Sequence, residues 1–273
     1  MRRTLPTFLI NSSLAVLGVL TLLPLLWMVS ASFMPSGQAN TFPPPLLPHG
    51  ATTEHYVTLF TRLNLARALG NSLFVSILAT AISLLTNSMA GYAFAKLRFK
   101  GRDRAFQVLL AALVIPGQVS MLPLFLLLKS LGLVNTFAGV IVPFMATIFG
   151  IFMVRQYALG IPDDLLDAAR VDGASEVRIF TTIVLPVLKP ILATLAVFTF
   201  LSAWNDFLWP LIILSDEARY TLPVALASLS GEHVQDTELM MAGSVLTVLP
   251  VLAVFLVLQR AYLRGVMMGS VKG

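Results

Sequence analysis

The sequence predicts an all-α integral membrane protein of six transmembrane helices, with one patterned two-helix loop on a single side of the membrane. Three observations carry that reading. Of the 273 residues, 57% are apolar and 11% charged, against roughly 25% charged in soluble domains. The charges are also segregated. Uncharged stretches run from Arg3 to Glu54, Arg67 to Lys96, Arg104 to Lys129, Lys129 to Arg155 and Glu238 to Arg260, each longer than the ~20 residues a helix needs to cross about 30 Å of hydrocarbon. A sixth stretch, Lys189 to Asp216, holds one ionisable side chain, Asp206, and spans if that carboxyl faces protein or water.

The spans fall near 8–32, 71–95, 105–128, 137–156, 191–214 and 240–262. Their continuous apolar character excludes a transmembrane barrel, whose strands are about ten residues long and alternate in polarity. The first span follows Met-Arg-Arg, and its apolar run outlasts the roughly 7–15 residues of a signal-peptide core, so it reads as a retained anchor. Cysteine is absent, which excludes disulfides, thiolate metal sites and a cysteine nucleophile.

The net charge of +5 follows membrane topology and gives no reason to invoke nucleic acid. With the amino terminus in the cytoplasm, Arg2, Arg3, Lys96, Arg98, Lys100, Arg102, Arg104, Arg155, Arg170, Arg178, Lys189, Arg260, Arg264 and Lys272 lie inside. Arg62, Arg67, Lys129 and Arg219 lie outside. That imbalance satisfies the positive-inside rule and places both termini in the cytoplasm.

The connections differ in character. The external segment 33–70 carries Pro35, Pro43, Pro44, Pro45 and Pro48, which resist regular structure ahead of a short amphipathic stretch near His55 to Ala68. The turn from Lys96 to Arg104 is short and strongly basic, which suits the cytoplasmic headgroup surface. The longest cytoplasmic connection is 157–190, too polar to insert and too patterned to be a linker. Pro162, Asp163 and Asp164 suit a helix start, Gly173 a helix end, and Ser175 the cap of a second helix. In that helix Glu176, Phe180 and Val184 lie in one row, and Leu185-Pro186 and Pro190 are expected to redirect the chain toward the fifth span.

The run Asp167-Ala168-Ala169-Arg170-Val171-Asp172-Gly173-Ala174, followed by Ile183-Val184-Leu185-Pro186, resembles the cytoplasmic loop signature of binding-protein-dependent ATP-binding-cassette importers. Asp167 stands where that signature has glutamate. Further segments, Ile115 to Val119, Phe198 to Phe207 with Pro210, and the tail from Gly265 to Gly273, look like the maltose-type carbohydrate permeases. The resemblance implies a permease domain over 71–273 with a coupling loop at 157–190, and an anchor helix with an external loop over 1–70. It also implies a second related permease chain, two cytoplasmic ATPase subunits that bind ATP and Mg, and an extracytoplasmic solute-binding protein, all at a bacterial-type inner membrane. No Gly-x-x-x-x-Gly-Lys-Ser/Thr phosphate loop occurs, so this chain itself is expected to bind no nucleotide, to hold no cofactor and to be no enzyme.

Within the coupling loop the resemblance singles out Asp167, Ala168, Ala169, Asp172, Gly173, Ala174, Ile183, Leu185 and Pro186 as the residues that meet the ATPase. Candidate solute-path residues are read from the spans. Asp206 is the sharpest, because a carboxylate at mid-membrane costs at least about 2.5–3.5 kcal/mol and so faces a cavity or a partner; with Asn205 it equally suits hydrogen bonding to neighbouring helices. Trp204 and Phe207 offer faces for a sugar ring, while Trp209 suits the outer interface. Gln118 lies beside the break expected at Pro116, Gly117 and Pro123. Thr86, Asn87 and Ser88 suit either a hydroxylated solute or helix packing. His49, His55 and His233 are expected to be solvated, with no metal-ligand spacing among them. Two other functions compete with the importer permease: an ion-coupled secondary carrier using Asp206, and an intramembrane enzyme, for which a lone acid supplies no catalytic pair.

Overall fold

The computed structural model describes residues 4–61, 64–232 and 236–270, and within them every regular element is helical. The principal helices are α1 Thr4–Ala31, α2 Glu54–Thr61, α3 Leu65–Lys96, α4 Arg102–Ala111, α5 Gly117–Ser130, α6 Phe137–Ile141, α7 Ile148–Ala158, α8 Asp163–Val171, α9 Glu176–Ile179, α10 Leu185–Trp204, α11 Leu208–Ile213, α12 Leu222–Glu232 and α13 Thr237–Ser270. The chain gathers into two compact units, 1–66 with 225–250 and 67–224 with 251–273.

Four helical stretches are long and apolar enough to cross a membrane alone: Leu9–Ala31, Leu65–Lys96, Glu176–Trp204 and Thr237–Val257. The third and fourth expected spans are bent pairs. Arg102–Val114 meets Gly117–Ser130 at 108°, and Phe137–Phe144 meets Ile148–Ala158 at 42°. The first break falls at Ile115-Pro116, where the residue before proline is driven out of the helical region; Ile115 has ψ 118°. The break expected at Pro116 and Gly117 is therefore present and sharp, while Pro123 lies within α5 without breaking it.

The fifth span also differs from its expected limits of 191–214. Leu185-Pro186 does not redirect the chain, because α9 passes through a π-helical turn at Phe180–Val184 into α10 without interruption. Within that turn's cap the Leu185 N–H donates to the Phe180 carbonyl, a wider ring than the α pattern, and Pro186, which has no N–H to donate, follows directly on it. The helix stops at Trp204, and Asn205-Asp206-Phe207 separate it from α11.

In the first unit the exposed leucines and valines of α1, such as Leu14, Leu17 and Leu20, form the surface that a spanning helix turns to lipid. The proline-rich segment after it is held by side chains. The Trp27 indole N–H donates to the Pro45 carbonyl at 3.0 Å, and the Ser30 hydroxyl to the Leu46 carbonyl at 2.6 Å. Glu238, fully buried in the first turn of α13, accepts the Ala39 N–H through Oε1 at 2.6 Å. His55 corrects the expectation of a solvated ring. It is 4% exposed, its Nε2 lies 2.8 Å from the Met34 carbonyl, and its Nδ1 is 3.7 Å from Asp236. His49 is exposed, and His233 lies outside the described residues.

In the second unit one apolar cluster joins Tyr92, Val154, Ile161, Leu166, Ile179 and Leu188, so α8 and α9 share a core with α3, α7 and α10. Another joins Val75, Leu128, Val140, Trp209 and Ile213. Two glycines allow the close approaches. A Cβ on Gly91 would lie 2.5 Å from Val154 Cγ1, and one on Gly139 would lie 2.3 Å from the Leu133 carbonyl oxygen.

Candidate functional site

The two-helix segment forms as its end signals predict. Pro162 precedes α8, with Asp163 and Asp164 in its first turn. Gly173, at φ 79°, ends it in the left-handed region that glycine enters without a Cβ clash. The Ser175 hydroxyl then accepts the Arg178 N–H, capping α9. The apolar side of α8 is anchored by Leu166, 1% exposed. Val171 and Val177, at 88% and 73% exposure, stand uncovered near the bend.

The expected coupling residues separate into two groups. Asp167, Ala168, Asp172 and Gly173 are exposed, and Ala169 and Ala174 are partly buried against the core. Ile183, Leu185 and Pro186 lie farther along, in or just after the π-helical turn, with Ile183 and Leu185 packed on the same core. Asp167 is engaged within the chain, its Oδ1 2.6 Å from an Arg170 guanidinium nitrogen. Arg170 also holds Glu176, Nε to Oε1 at 2.7 Å, and Glu176 Oε2 accepts the Tyr92 hydroxyl at 2.8 Å. The carboxylates of Glu176 and Asp167 push the Arg170 pKa further above its ordinary range. The guanidinium thus bridges α8 to α9, and Tyr92 ties both to the end of α3.

A second tie from α3 runs through Lys96. Its Nζ, on a side chain only 5% exposed, donates to the Ile161 carbonyl at 2.6 Å and to Asp163 Oδ1 at 2.7 Å. Tyr92 and Lys96 are four residues apart and so share one helix face. Sequence reading placed Lys96 among the headgroup cations and did not find this role; the i, i+4 pairing of Tyr92 and Lys96 at the last turn of a span was the available signal.

The hydrogen bond and charge of Lys96 lower the Asp163 pKa below its ordinary 3.8. A depressed carboxylate stabilises the fold above its unfolded pKa and loses that contribution as pH falls through the folded value. Lys96→Met should leave the buried Ile161 carbonyl without this donor, costing about 1–3 kcal/mol. Thermal unfolding in detergent should show that deficit undiminished at pH 7. The part owed to Asp163 should close only below the ordinary aspartate range. Equal unfolding of the two proteins at pH 7 would remove the tie from the stability of this segment.

The solute-path residues are not brought together as one cluster. Asn87 is fully buried and satisfied: its amide nitrogen meets Ser83 Oγ at 2.7 Å, and its oxygen accepts the Thr147 N–H at 3.0 Å. Thr86 donates to the Met145 carbonyl. These side chains fasten α3 to the break between α6 and α7. Trp204 is likewise buried, stacked 5.8 Å from Phe200. Gln118 and Asn205 are exposed, and the Asn205 amide donates to the Leu201 carbonyl at 2.9 Å.

Asp206 does not sit within a helix, as a place at the middle of the fifth span required. It follows the end of α10, and its Oδ1 accepts the Trp209 N–H at 3.4 Å. Trp209 is not an interfacial side chain; it is 4% exposed, and its indole N–H donates to the Gly139 carbonyl at 3.0 Å. Among the described residues no group of three or more His, Asp or Glu side chains forms a metal site.

Comparison with known proteins places this geometry in context. Residues 87–267 match the family described as binding-protein-dependent transport system inner membrane component. The arabinooligosaccharides transport system permease protein AraQ of Halalkalibacterium halodurans is 40% identical over 100% of this chain and 99% of its own length. The lactose transport system permease protein LacG of Rhizobium radiobacter is 34% identical over 100% and 98%. A chain from the crystal structure of a bacterial ABC transporter involved in the import of the acidic polysaccharide alginate superposes with a TM-score of 0.82 over 95% of this chain and 98% of its own, at 23% identity, and so shares the fold. The matched region contains the break after α10 and the whole two-helix segment, and the chain belongs to the family of inner membrane components of binding-protein-dependent transport systems.

Proposed function

We propose that this chain is the permease subunit of an ATP-driven importer that carries a sugar or sugar-like solute into the cytoplasm. The observation that supports this most is the two-helix segment, whose exposed bend at Asp172-Gly173 is backed by ion pairs and runs without a joint into a spanning helix. Two relatives covering the whole chain are permeases for arabinooligosaccharides and lactose, which supports a carbohydrate substrate. Membership of the family sets aside the secondary carrier and the intramembrane enzyme.

In this reading 71–273 is the transmembrane permease domain and 1–70 an anchor with an external loop. Both termini are cytoplasmic. The segment 157–190 docks on an ATPase subunit through Asp167, Ala168, Ala169, Asp172, Gly173 and Ala174, with Ile183, Leu185 and Pro186 joining it to the span. ATP and Mg reside on two such ATPases, a second permease completes the pore, and a solute-binding protein delivers the sugar from outside. Nucleotide-driven closure moves the docked segment as a rigid body. Tyr92 and Lys96 pass the motion to α3, and the continuous helix passes it to α10. Gln118, Asn205 and Asp206, at or beside breaks in the spans, line the solute path, and Asn87 and Trp204 brace it.

The test is uptake of labelled arabinose- and galactose-containing oligosaccharides into vesicles holding this chain with its candidate partners. Uptake should require ATP and the binding protein. Nucleotide-independent uptake abolished by a protonophore would overturn the proposal.

A further inference from the structure

The turn between α3 and α4 has a construction that the transport reading leaves unused. From Arg98 to Arg104 it carries four cations, Arg98, Lys100, Arg102 and Arg104, against one acid, Asp103. Arg102 is committed locally, its Nε 3.0 Å from Asp103 and a terminal nitrogen donating to the Leu97 carbonyl at 3.3 Å. Arg98, Lys100 and Arg104 are exposed and form no ion pair among the described residues. Gly101, at φ 82°, turns the chain in the left-handed region, and residues 98–104 line an open, shallow cavity of about 780 Å³.

The cavity is not a slack loop. Phe94 packs against Phe99 and Phe106 at centroid distances of 5.8 and 5.4 Å. The Arg155 guanidinium sits 4.1 Å over the Phe106 ring and its Nε donates to the Phe94 carbonyl at 3.2 Å. A basic rim thus stands on an aromatic floor anchored to α7. Phe99 itself is 46% exposed, an apolar ring among cations.

We infer that this turn binds the phosphate of an anionic phospholipid. The turn directly follows a 32-residue helix able to cross the membrane, so it lies at headgroup depth. There the cations meet the negative surface of the leaflet, and a guanidinium fork matches phosphate oxygens. A soluble phosphate would use the rim alone. A lipid also uses Phe99, whose ring suits the boundary between headgroup and acyl chain. The inference needs α3 to span the membrane and does not need the transport reading.

Native mass spectrometry of the full chain, purified with its partners, tests it with phosphatidylglycerol as the ligand and phosphatidylcholine as the control. The protein should hold phosphatidylglycerol at low excess and phosphatidylcholine no more than at background. Replacing Arg98, Lys100 and Arg104 together by glutamine should weaken phosphatidylglycerol retention about a hundredfold, whereas millimolar inorganic phosphate should not displace it. Displacement by inorganic phosphate would make this a free-anion site. Unchanged retention in the triple variant, or loss of the partner subunits from it, would overturn the lipid assignment in favour of no site or of a protein contact. Should the variant fail to fold, photoreactive phosphatidylglycerol in vesicles with the unaltered protein should label residues 97–104, and labelling confined to other segments would overturn the inference.

Discussion

Gly173→Trp should reduce ATP-dependent uptake by roughly tenfold or more while leaving the chain folded and in the membrane. Gly173 lies at φ 79°, and a Cβ there would meet nothing within 4 Å. The internal cost is therefore backbone strain, roughly 1–2 kcal/mol for an L side chain in the left-handed region. A cost of that size does not unfold a segment that Arg170, Tyr92 and Lys96 fasten from three sides. The indole would instead project from the exposed bend at which the ATPase is proposed to dock. Gly173→Ala separates the two effects, since it incurs the strain without the bulk and should keep most of the uptake. Uptake by vesicles, with pull-down of the ATPase, decides the matter. Full transport by a normally assembled Gly173→Trp protein would show that the bend is not the docking surface.

Gly139→Ala should act on stability, lowering it by about 2–4 kcal/mol. The new methyl would fall 2.3 Å from the Leu133 carbonyl oxygen and 3.2 Å from Ile213 Cγ1, and the first of these is backbone with no rotamer to give. Gly139 is also held through both of its backbone polar groups. Thr136 Oγ1 accepts the Gly139 N–H at 3.0 Å, and the Gly139 carbonyl accepts the Trp209 indole. Relief would have to break one of these bonds. Thermal unfolding of the purified protein should show a midpoint several degrees lower, and an unchanged midpoint would mean that the 133–139 turn yields at no cost.

Much of the fold was legible because membrane insertion imposes a coarse rule. Charges cannot be spread through a spanning helix, so the gaps between them mark where spans lie, and α1, α3 and the apolar part of α13 follow those gaps closely. The two-helix segment was legible for a different reason. Pro162, Gly173 and Ser175 each act on backbone within a few residues of themselves, and local rules need no tertiary knowledge. What local rules missed was set across distance. The burial of His55 depends on the Met34 carbonyl, and that of Trp209 on the Gly139 carbonyl 70 residues away. Lys96 read as one more headgroup cation because its partners, Ile161 and Asp163, lie more than 60 positions along the chain.

Pro186 and Pro190 look like interruptions, yet the helix carries both, and the π-helical turn at Phe180–Val184 is the reason this matters mechanically. Each residue of an α-helix advances the phase by about 100°. The wide turn therefore sets a fixed angular offset between the end that bears Glu176 and the end that bears Leu195. With that offset Ile179, Phe180 and Val184 face the same apolar cluster as Leu188, Ile191 and Leu195. Removing or adding one residue between 176 and 188 would twist Glu176 about a quarter turn away from Tyr92 while leaving the lipid end where it was. The segment behaves as a keyed shaft, in which the number of residues between Glu176 and Leu188 sets the angle at which Glu176 meets Tyr92.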